Sequence, residues 1–450
     1  MPIAETAERL IDAEPTKQFF VDMITRDIQL EQAVLDLVDN SVDGAQRYRG
    51  TDPKPLDGFE VTITVDANRF KIFDNCGGFD KETARDYAFR FGRPAEKPMP
   101  PHSIGQFGVG MKRALFKFGR HFMVQSSTED EEWAVDVDVI EWEGYKAWTF
   151  PWAEFPETPQ VSKDEPGTLI VVDKLRPEVS ARFGTEYFVN AIIGLIKSKH
   201  RQFIADGLSI SVNGHHISAT SLNLLITGSL RPGVDKLSFN GATGTLVNAR
   251  IVVGIGESIP RDAGWYVVCN GRVILEADRR AVTGWGLVES EASKTSIPTF
   301  HNQYARFRGV VWFDSADSGR VPWNTTKTDV DQESPIWQKT FLRMVEMMRP
   351  VIDFMNELDR EVEEQTKESS TLLGHLSHAS RVNTETLQTK TPFTFPRRGD
   401  IAPAGPTMVK IQFSRPLPDI DFLANAFGLS SAKAVGERCF DLALRKQRDN

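Results

Sequence analysis

Apolar residues in the first half of the chain recur at two periods, and the switches between them mark out its elements. Leu30, Val34, Leu37, Val38 and Val42 fall three or four apart across residues 30–46, which predicts a helix with one buried face. Phe19, Phe20, Met23, Ile24 and Ile28 predict a helical lead-in within residues 1–29. Residues 59–73 alternate instead, with Val61, Ile63 and Val65 set against Thr62 and Thr64, so a β-hairpin ending at Asp74 is expected. A short helix from Lys81 and then RPAEKPMPPHS, a proline-rich run without period, fill residues 79–104. Alternation returns over residues 120–173 in HFMVQSS, EWAVDVDVI and GTLIVVD, which read as antiparallel strands, with the aromatic run WTFPWAEFPETP as a packed loop. An amphipathic helix over 184–204, carrying Phe188, Ala191, Ile192, Leu195 and Ile196, closes this first domain, 1–204.

Residues 205–334 read as a second α+β domain. GLSISVNGHHI and GWYVVCNGRVILEADRR are strand–Asn-Gly–strand hairpins, which makes His215 and His216 turn residues. Over 335–366, Trp337, Phe341, Met344, Met348, Val351, Met355, Leu358 and Val362 step by four and three, the spacing of a coiled-coil seam. Pro350 should kink that helix, and the seam serves either dimerisation or packing along the second domain. Residues 367–406 are polar and read as a linker. In 407–450, Val409, Ile411 and Phe413 alternate in VKIQFS, and two helices follow, split by Gly428. This strand–helix–helix order resembles a ribbon-helix-helix unit. Its seven Lys/Arg against five Asp/Glu leave a net charge of +2, compatible with DNA contact, dimerisation or docking. The fold class expected for the whole chain is α+β.

Composition narrows the setting. The chain has 450 residues, 40% hydrophobic and 26% charged, enough for two or three domains with ample cores. No window approaches the roughly 18 uninterrupted apolar residues of a membrane span. MPIAETAERLIDAEP lacks the basic and apolar regions of a signal peptide. Three cysteines, Cys76, Cys269 and Cys439, stand far apart in no metal-binding spacing, so a reduced cytoplasmic protein is expected. A net charge of −9 excludes a uniformly basic nucleic-acid sheath.

Three stretches carry candidate chemistry. GQFGVGMK sets Gly105, Gly108 and Gly110 ahead of Lys112 and an apolar helical run; such a loop exposes backbone N–H groups at a helix N-terminus, where phosphate is favoured. On the 30–46 helix, Asp36, Asn40 and Asp43 are four and three apart and share a side. Asp74 ends a strand just before Gly77 and Gly78.

In this order and spacing the three stretches resemble the motifs of the GHKL ATPases, the superfamily of gyrase B, the ninety-kilodalton heat-shock chaperones, histidine kinases, MutL and the microrchidia (MORC) proteins. Asp36, Asn40 and Asp43 match its first motif, Asp74 and Gly78 its second, Gly105, Gly108 and Gly110 its third, and Thr168 a later-strand threonine. The resemblance covers about the first 175 residues and is closest to MutL and MORC proteins.

The resemblance implies a Bergerat-type α/β sandwich that binds ATP with Mg²⁺. Asn40 is then the metal ligand, Asp74 the acceptor for the adenine amino group, and residues 79–104 a lid. The loop residues Gly105, Gln106, Phe107, Gly108, Val109, Gly110 and Lys112, with Asp43, Gly78 and Thr168, complete the nucleotide contacts. Asp36 stands where the family has a glutamate that activates water, and is one methylene shorter; misplacement on that scale can cost about a hundredfold in rate. ATP binding is therefore a firmer expectation than fast hydrolysis. Cys76 replaces the first glycine of the second motif. By the same resemblance, 205–334 is a transducer-like domain whose Lys327, in VPWNTTKTDVD, reaches the γ-phosphate. The implied protein is an ATP-gated homodimeric clamp acting on DNA in repair, restriction or defence; the alternative is a non-hydrolysing ATP sensor that regulates a partner effector. A histidine kinase would need a longer segment before the Asn40 helix, a type II topoisomerase a cleavage domain, and a heat-shock chaperone a larger middle domain.

Overall fold

The computed structural model describes residues 14–50, 56–90, 101–105, 110–241, 244–288, 296–364, 370–397 and 411–449. Gln106, Phe107, Gly108 and Val109 lie outside the described residues, as do the middle of the expected lid (91–100), the start of the lead-in and Val409. The described chain forms two compact units. One runs to Asn356 and takes in His378–Pro396; the other comprises Glu357–Ser377 and the segment from Arg397.

Two sheets organise the first unit. The larger has eight strands in the order β5-β4-β3-β6-β2-β1-β7-β8. They are β1 Glu60–Val65, β2 Phe70–Asp74, β3 Gly119–Ser127, β4 Glu132–Asp138, β5 Trp152–Ala153, β6 Gly167–Leu175, β7 Ser209–Val212 and β8 His215–His216. The alternation read from the sequence fixes which face is covered: Val61, Ile63, Val65, Phe70 and Ile72 are all buried. Helices α1 Lys17–Arg26, α2 Leu30–Arg49, α3 Gly110–Phe118 and α4 Glu186–Lys199 pack together, and α3 lies on β3 and β6, giving an α/β sandwich. The sheet runs past residue 204, where the first domain was expected to end. β7 pairs parallel to β1, Val61 opposite Ile210, and hairpins to β8 at the sheet edge. The aromatic loop packs onto the core without being part of it: half-buried Phe150 meets Phe116, Phe122 and Trp142 with ring centroids 5.2–6.5 Å apart, while Trp152 is exposed.

The second sheet has five strands in the order β10-β11-β14-β12-β13: β10 Gly233–Asn240, β11 Leu246–Ile255, β12 Gly264–Cys269, β13 Arg272–Asp278 and β14 Phe307–Ser315. Val252, Tyr266, Val268, Val310 and Trp312 pack into one buried cluster on it. Helix α5, Pro335–Glu364, is continuous through Pro350. Met344, Met348, Val351 and Met355 are buried within the chain itself, and Trp265 Nε1 lies 3.4 Å from Met348 Sδ, so this part of the seam packs along the second sheet.

Residues 367–406, expected as a linker, are built into the fold over much of their length. Thr371–Ser377 is helical, and β15 Ser380–Asn383 pairs antiparallel with β9 Asn223–Ile226. Thr391 and Thr394 bridge to Val234 and Arg231. A polar four-residue strand has too little pattern to announce itself, and its pairing partner is far away in sequence.

In the second unit the buried Glu361 carboxylate accepts hydrogen bonds from Ser370 Oγ, Thr371 N and Oγ1, and Leu372 N, and so caps the helix Thr371–Ser377 from outside it. Helices Leu417–Phe427 and Ala432–Arg448 are joined at Gly428, in the left-handed conformation. Ile411–Pro416 contains no strand, so the ribbon of the expected ribbon-helix-helix unit is missing among the described residues. Ile411 and Phe413 are exposed, and alternation alone does not make a strand without a partner strand. No helix of the described residues is long and apolar enough to cross a membrane.

Candidate functional site

Helix α2 carries the site because its two sides have different tasks. Val34, Leu37 and Val38 are buried, while Asn40 is exposed. Asp36, Asn40 and Asp43 open onto a cavity of about 770 Å³, as do Asp74 and Thr168 from the sheet and Lys327 from the second domain's loop. Gly78, Gly105 and Gly110 complete its wall.

Sheet register builds the floor. Antiparallel pairing of β2 with β6 sets Asp74 opposite Thr168. Asp74 is buried, with Ser41 Oγ donating to its Oδ2 at 2.6 Å and the Cys76 amide to its Oδ1 at 3.0 Å. Burial pushes its carboxyl above the usual range, against the pull of these donors. Burial likewise pushes the Cys76 thiol well up, which makes it an inert core residue. Gly78 has φ +58°, and a Cβ there would sit 2.1 Å from the Ser127 carbonyl oxygen, so only glycine lets the chain turn between β3 and β6.

The glycine loop is drawn onto α2. Asp43 accepts from Ser103 Oγ at 2.8 Å and from the amides of Ile104 and Gly105, each at 2.7 Å. A Cβ at Gly105 would lie 3.1 Å from Asp43 Oδ2 and 3.5 Å from Asn40 Oδ1; one at Gly110 would lie 3.3 Å from Asp36 Cβ. Asp43, expected among the nucleotide contacts, thus spends its oxygens on shaping the loop. Lys112, expected there too, is off the cavity wall: it is buried and donates to the Ala88 carbonyl at 2.7 Å, and burial lowers its pKa to about 7. Its neighbour Arg113 lines the cavity instead.

Asp36 receives Gln32 Nε2 at 3.1 Å and faces Lys327 Nζ at 3.7 Å. Burial raises its pKa, with Lys327 opposing. Lys327 is buried, has φ +53°, and donates to Asp39 Oδ2 at 2.8 Å. Burial alone would lower the Lys327 pKa, but Asp39 and Asp36 together raise it.

A family model described as histidine kinase-, DNA gyrase B-, and HSP90-like ATPase matches residues 28–168. This span holds α2, the Asp74 strand, the glycine loop and Thr168. Residues 28–168 therefore form a domain of the GHKL ATPase superfamily. A comparison with curated proteins finds no match.

The GHKL domain is an ATP-binding module, and the cavity suits its ligand. Gly105 and Gly110 keep side chains out of the space beside α2, and the buried Asp74 carboxylate lines the cavity with Ser41 and the Cys76 amide beside it. Members of the superfamily usually bind ATP with Mg²⁺. Among the described residues no group of three or more His, Cys, Asp or Glu is placed to hold a metal ion. Mg²⁺ is commonly held by substrate phosphates and one or two protein oxygens. Asn40 is exposed and lines the cavity wall.

Sequence reasoning missed four residues around the GHKL site. Gln32 donates to Asp36, and Asp39 accepts from Lys327 on one oxygen and from His200 and Arg272 on the other. Gln32 is one turn before Asp36 and was within reach of helical spacing. The other three meet only through the tertiary fold.

Proposed function

We propose that the chain binds ATP with Mg²⁺ in this cavity and hydrolyses it slowly, using the cycle to close the 79–104 lid and pair two copies of a MutL/MORC-like clamp in the cytoplasm. The observation that carries the reading is that Asp36, Asn40, Asp74, Thr168 and Lys327, drawn from separate segments, border one cavity. Asp74 accepts from the adenine amino group, and Thr168 lines the floor beside it. Bound Mg²⁺ would neutralise phosphate charge, with Asn40 as its protein ligand. Asp36 takes a proton from water as the water oxygen bonds to the terminal phosphorus. The bond from that phosphorus to the bridging oxygen breaks, ADP leaves, and Asp36 returns the proton to solvent or phosphate. The raised pKa of Asp36 makes it a stronger base than an exposed aspartate. Lys327 supplies positive charge where the transferring group develops negative charge.

Dimerisation is supported by Phe19 and Met23, two large apolar side chains that are 61% and 53% exposed on α1. DNA is the proposed client, supported only by the basic balance of 407–450. A second reading, a non-hydrolysing ATP sensor acting on a partner effector, is favoured by one feature: Asp36 is short for a base and lies close to Lys327. Phosphate release and Mg²⁺-dependent ATP binding, measured on wild type and Asn40→Ala, test the proposal. The ATPase reading expects wild-type turnover that Asn40→Ala loses together with the Mg²⁺ dependence. Tight binding without turnover in wild type replaces it with the sensor, and equal turnover in both proteins refutes the role of Asn40.

A further inference from the structure

Asp39 faces away from the cavity, at the centre of a buried junction between the GHKL domain and the second sheet. Its side chain is wholly buried. Oδ1 accepts from His200 Nε2 and from Arg272 Nε, both at 2.8 Å. Oδ2 accepts from Lys327 Nζ at 2.8 Å, and the same ammonium is 3.7 Å from Asp36 Oδ1. Three distant segments therefore converge on one carboxylate: the residue following α4, the first residue of β13 and the 324–329 loop.

That loop is itself tightly held. Lys327 N donates to the Asn324 carbonyl at 3.0 Å, and Asn324 Oδ1 accepts from Thr328 N at 3.0 Å. Arg280 fixes the loop's far side through Asp329 at 2.7 Å. Lys327 sits at its turn with φ +53°, a conformation a lysine keeps only where its surroundings hold it.

The charges explain the arrangement. Two cations, Arg272 and Lys327, face two carboxylates, Asp39 and Asp36, so the buried group is neutral overall. Arg272 and His200 occupy one oxygen of Asp39 independently of Lys327. Asp39 thus keeps a cationic partner when Lys327 turns toward an incoming anion, and the lysine moves without stranding a buried charge.

We infer that Asp39 is a positioning residue for ATP hydrolysis: anchored by Arg272 and His200, it holds Lys327 beside Asp36 at the cavity wall and releases it to the terminal phosphate. The inference rests on the ATPase reading above. It also makes the hairpin bearing Arg272 part of the nucleotide-sensing apparatus, since that hairpin and the GHKL helix α2 share one carboxylate.

The test is a mutant cycle on the full chain, with ATP and ADP affinities measured by calorimetry alongside kcat, KM and thermal melting. Lys327→Met is expected to lower the preference for ATP over ADP by about tenfold or more, because only ATP carries the terminal phosphate. Asp39→Asn is expected to lose the same preference while ADP affinity stays within about threefold, and the double variant to lose no more than either single one. Arg272→Lys and His200→Gln each loosen one arm while leaving Asp39 charged, and cover the case in which Asp39→Asn does not fold. Each should lower kcat more than it changes KM, and the loss should disappear in the Lys327→Met background. Losses that multiply in that background, or an Asp39→Asn protein that melts earlier but keeps its ATP preference, would show a merely structural role and overturn the inference. A wild type that binds neither nucleotide overturns the ATPase reading and this inference with it.

Discussion

Asp36→Asn should separate catalysis from stability, because the fold holds the Asp36 carboxylate at a cost. The side chain is 12% exposed, and burial raises its pKa despite Lys327 at 3.7 Å. A carboxylate whose pKa is raised on folding contributes stability only when protonated, and that contribution is lost as pH rises through the raised value. At pH 7 its charge therefore opposes folding. Asparagine has the same shape and can still pair with Gln32, and Lys327 keeps Asp39 at 2.8 Å. Stability at pH 7 should stay within about 1 kcal/mol of wild type or rise. Turnover should not survive: a positioned general base contributes about 10²–10⁴-fold, or roughly 3–5 kcal/mol of barrier. The assay is phosphate release at saturating Mg-ATP, paired with urea unfolding of the same preparations. Turnover within about threefold of wild type would refute Asp36 as the base. A large fall in stability would refute the charge argument.

Gly78→Ala should destabilise the domain by about 3 kcal/mol or more, lowering Tm by roughly 10 °C, because the new Cβ would meet the backbone oxygens of Ser127 and Gly167 at 2.1 and 2.8 Å; an unchanged melt contradicts the turn geometry. His200 gives a pH signature. Burial, helped by Arg272, lowers its pKa from 6.5 to about 4, so its stability contribution is complete above 6.5 and is lost as pH falls toward 4. Between pH 7.5 and 5, wild type should lose about 2 kcal/mol more than His200→Gln in urea unfolding, and parallel losses would refute a neutral buried His200.

The part of the site that could be read from the sequence is the part built locally. Asp36, Asn40 and Asp43 share a helix face by spacing alone, and Asp74 ends a strand that alternation had already delimited. Asp39 belongs to the same helix, yet one residue is 100° of rotation, and a lone polar residue off the motif face reads as solvent-exposed. Its partners lie 161 and 233 residues away, and nothing in the local pattern links a histidine after one helix and an arginine in a hairpin to it. Asp43 and Lys112 show the converse. Their positions in the motifs were plain, but whether an oxygen or an ammonium faces the ligand or the neighbouring backbone is decided by packing. The missing ribbon at Ile411–Ser414 and the strand at Ser380–Asn383 make a third point: a strand exists by virtue of its partner, and period-two alternation is neither sufficient nor necessary for one.

The central claim, that the cavity between α2 and the Asp74 strand is an adenine-nucleotide site, is tested most directly by calorimetric titration of wild type and Asp74→Asn with a non-hydrolysable ATP analogue in Mg²⁺. Wild type should bind the analogue stoichiometrically. Asp74→Asn should bind at least about tenfold more weakly, the loss expected when a charged hydrogen-bond acceptor is replaced. Binding of equal strength by the two proteins, or none by wild type, would contradict it.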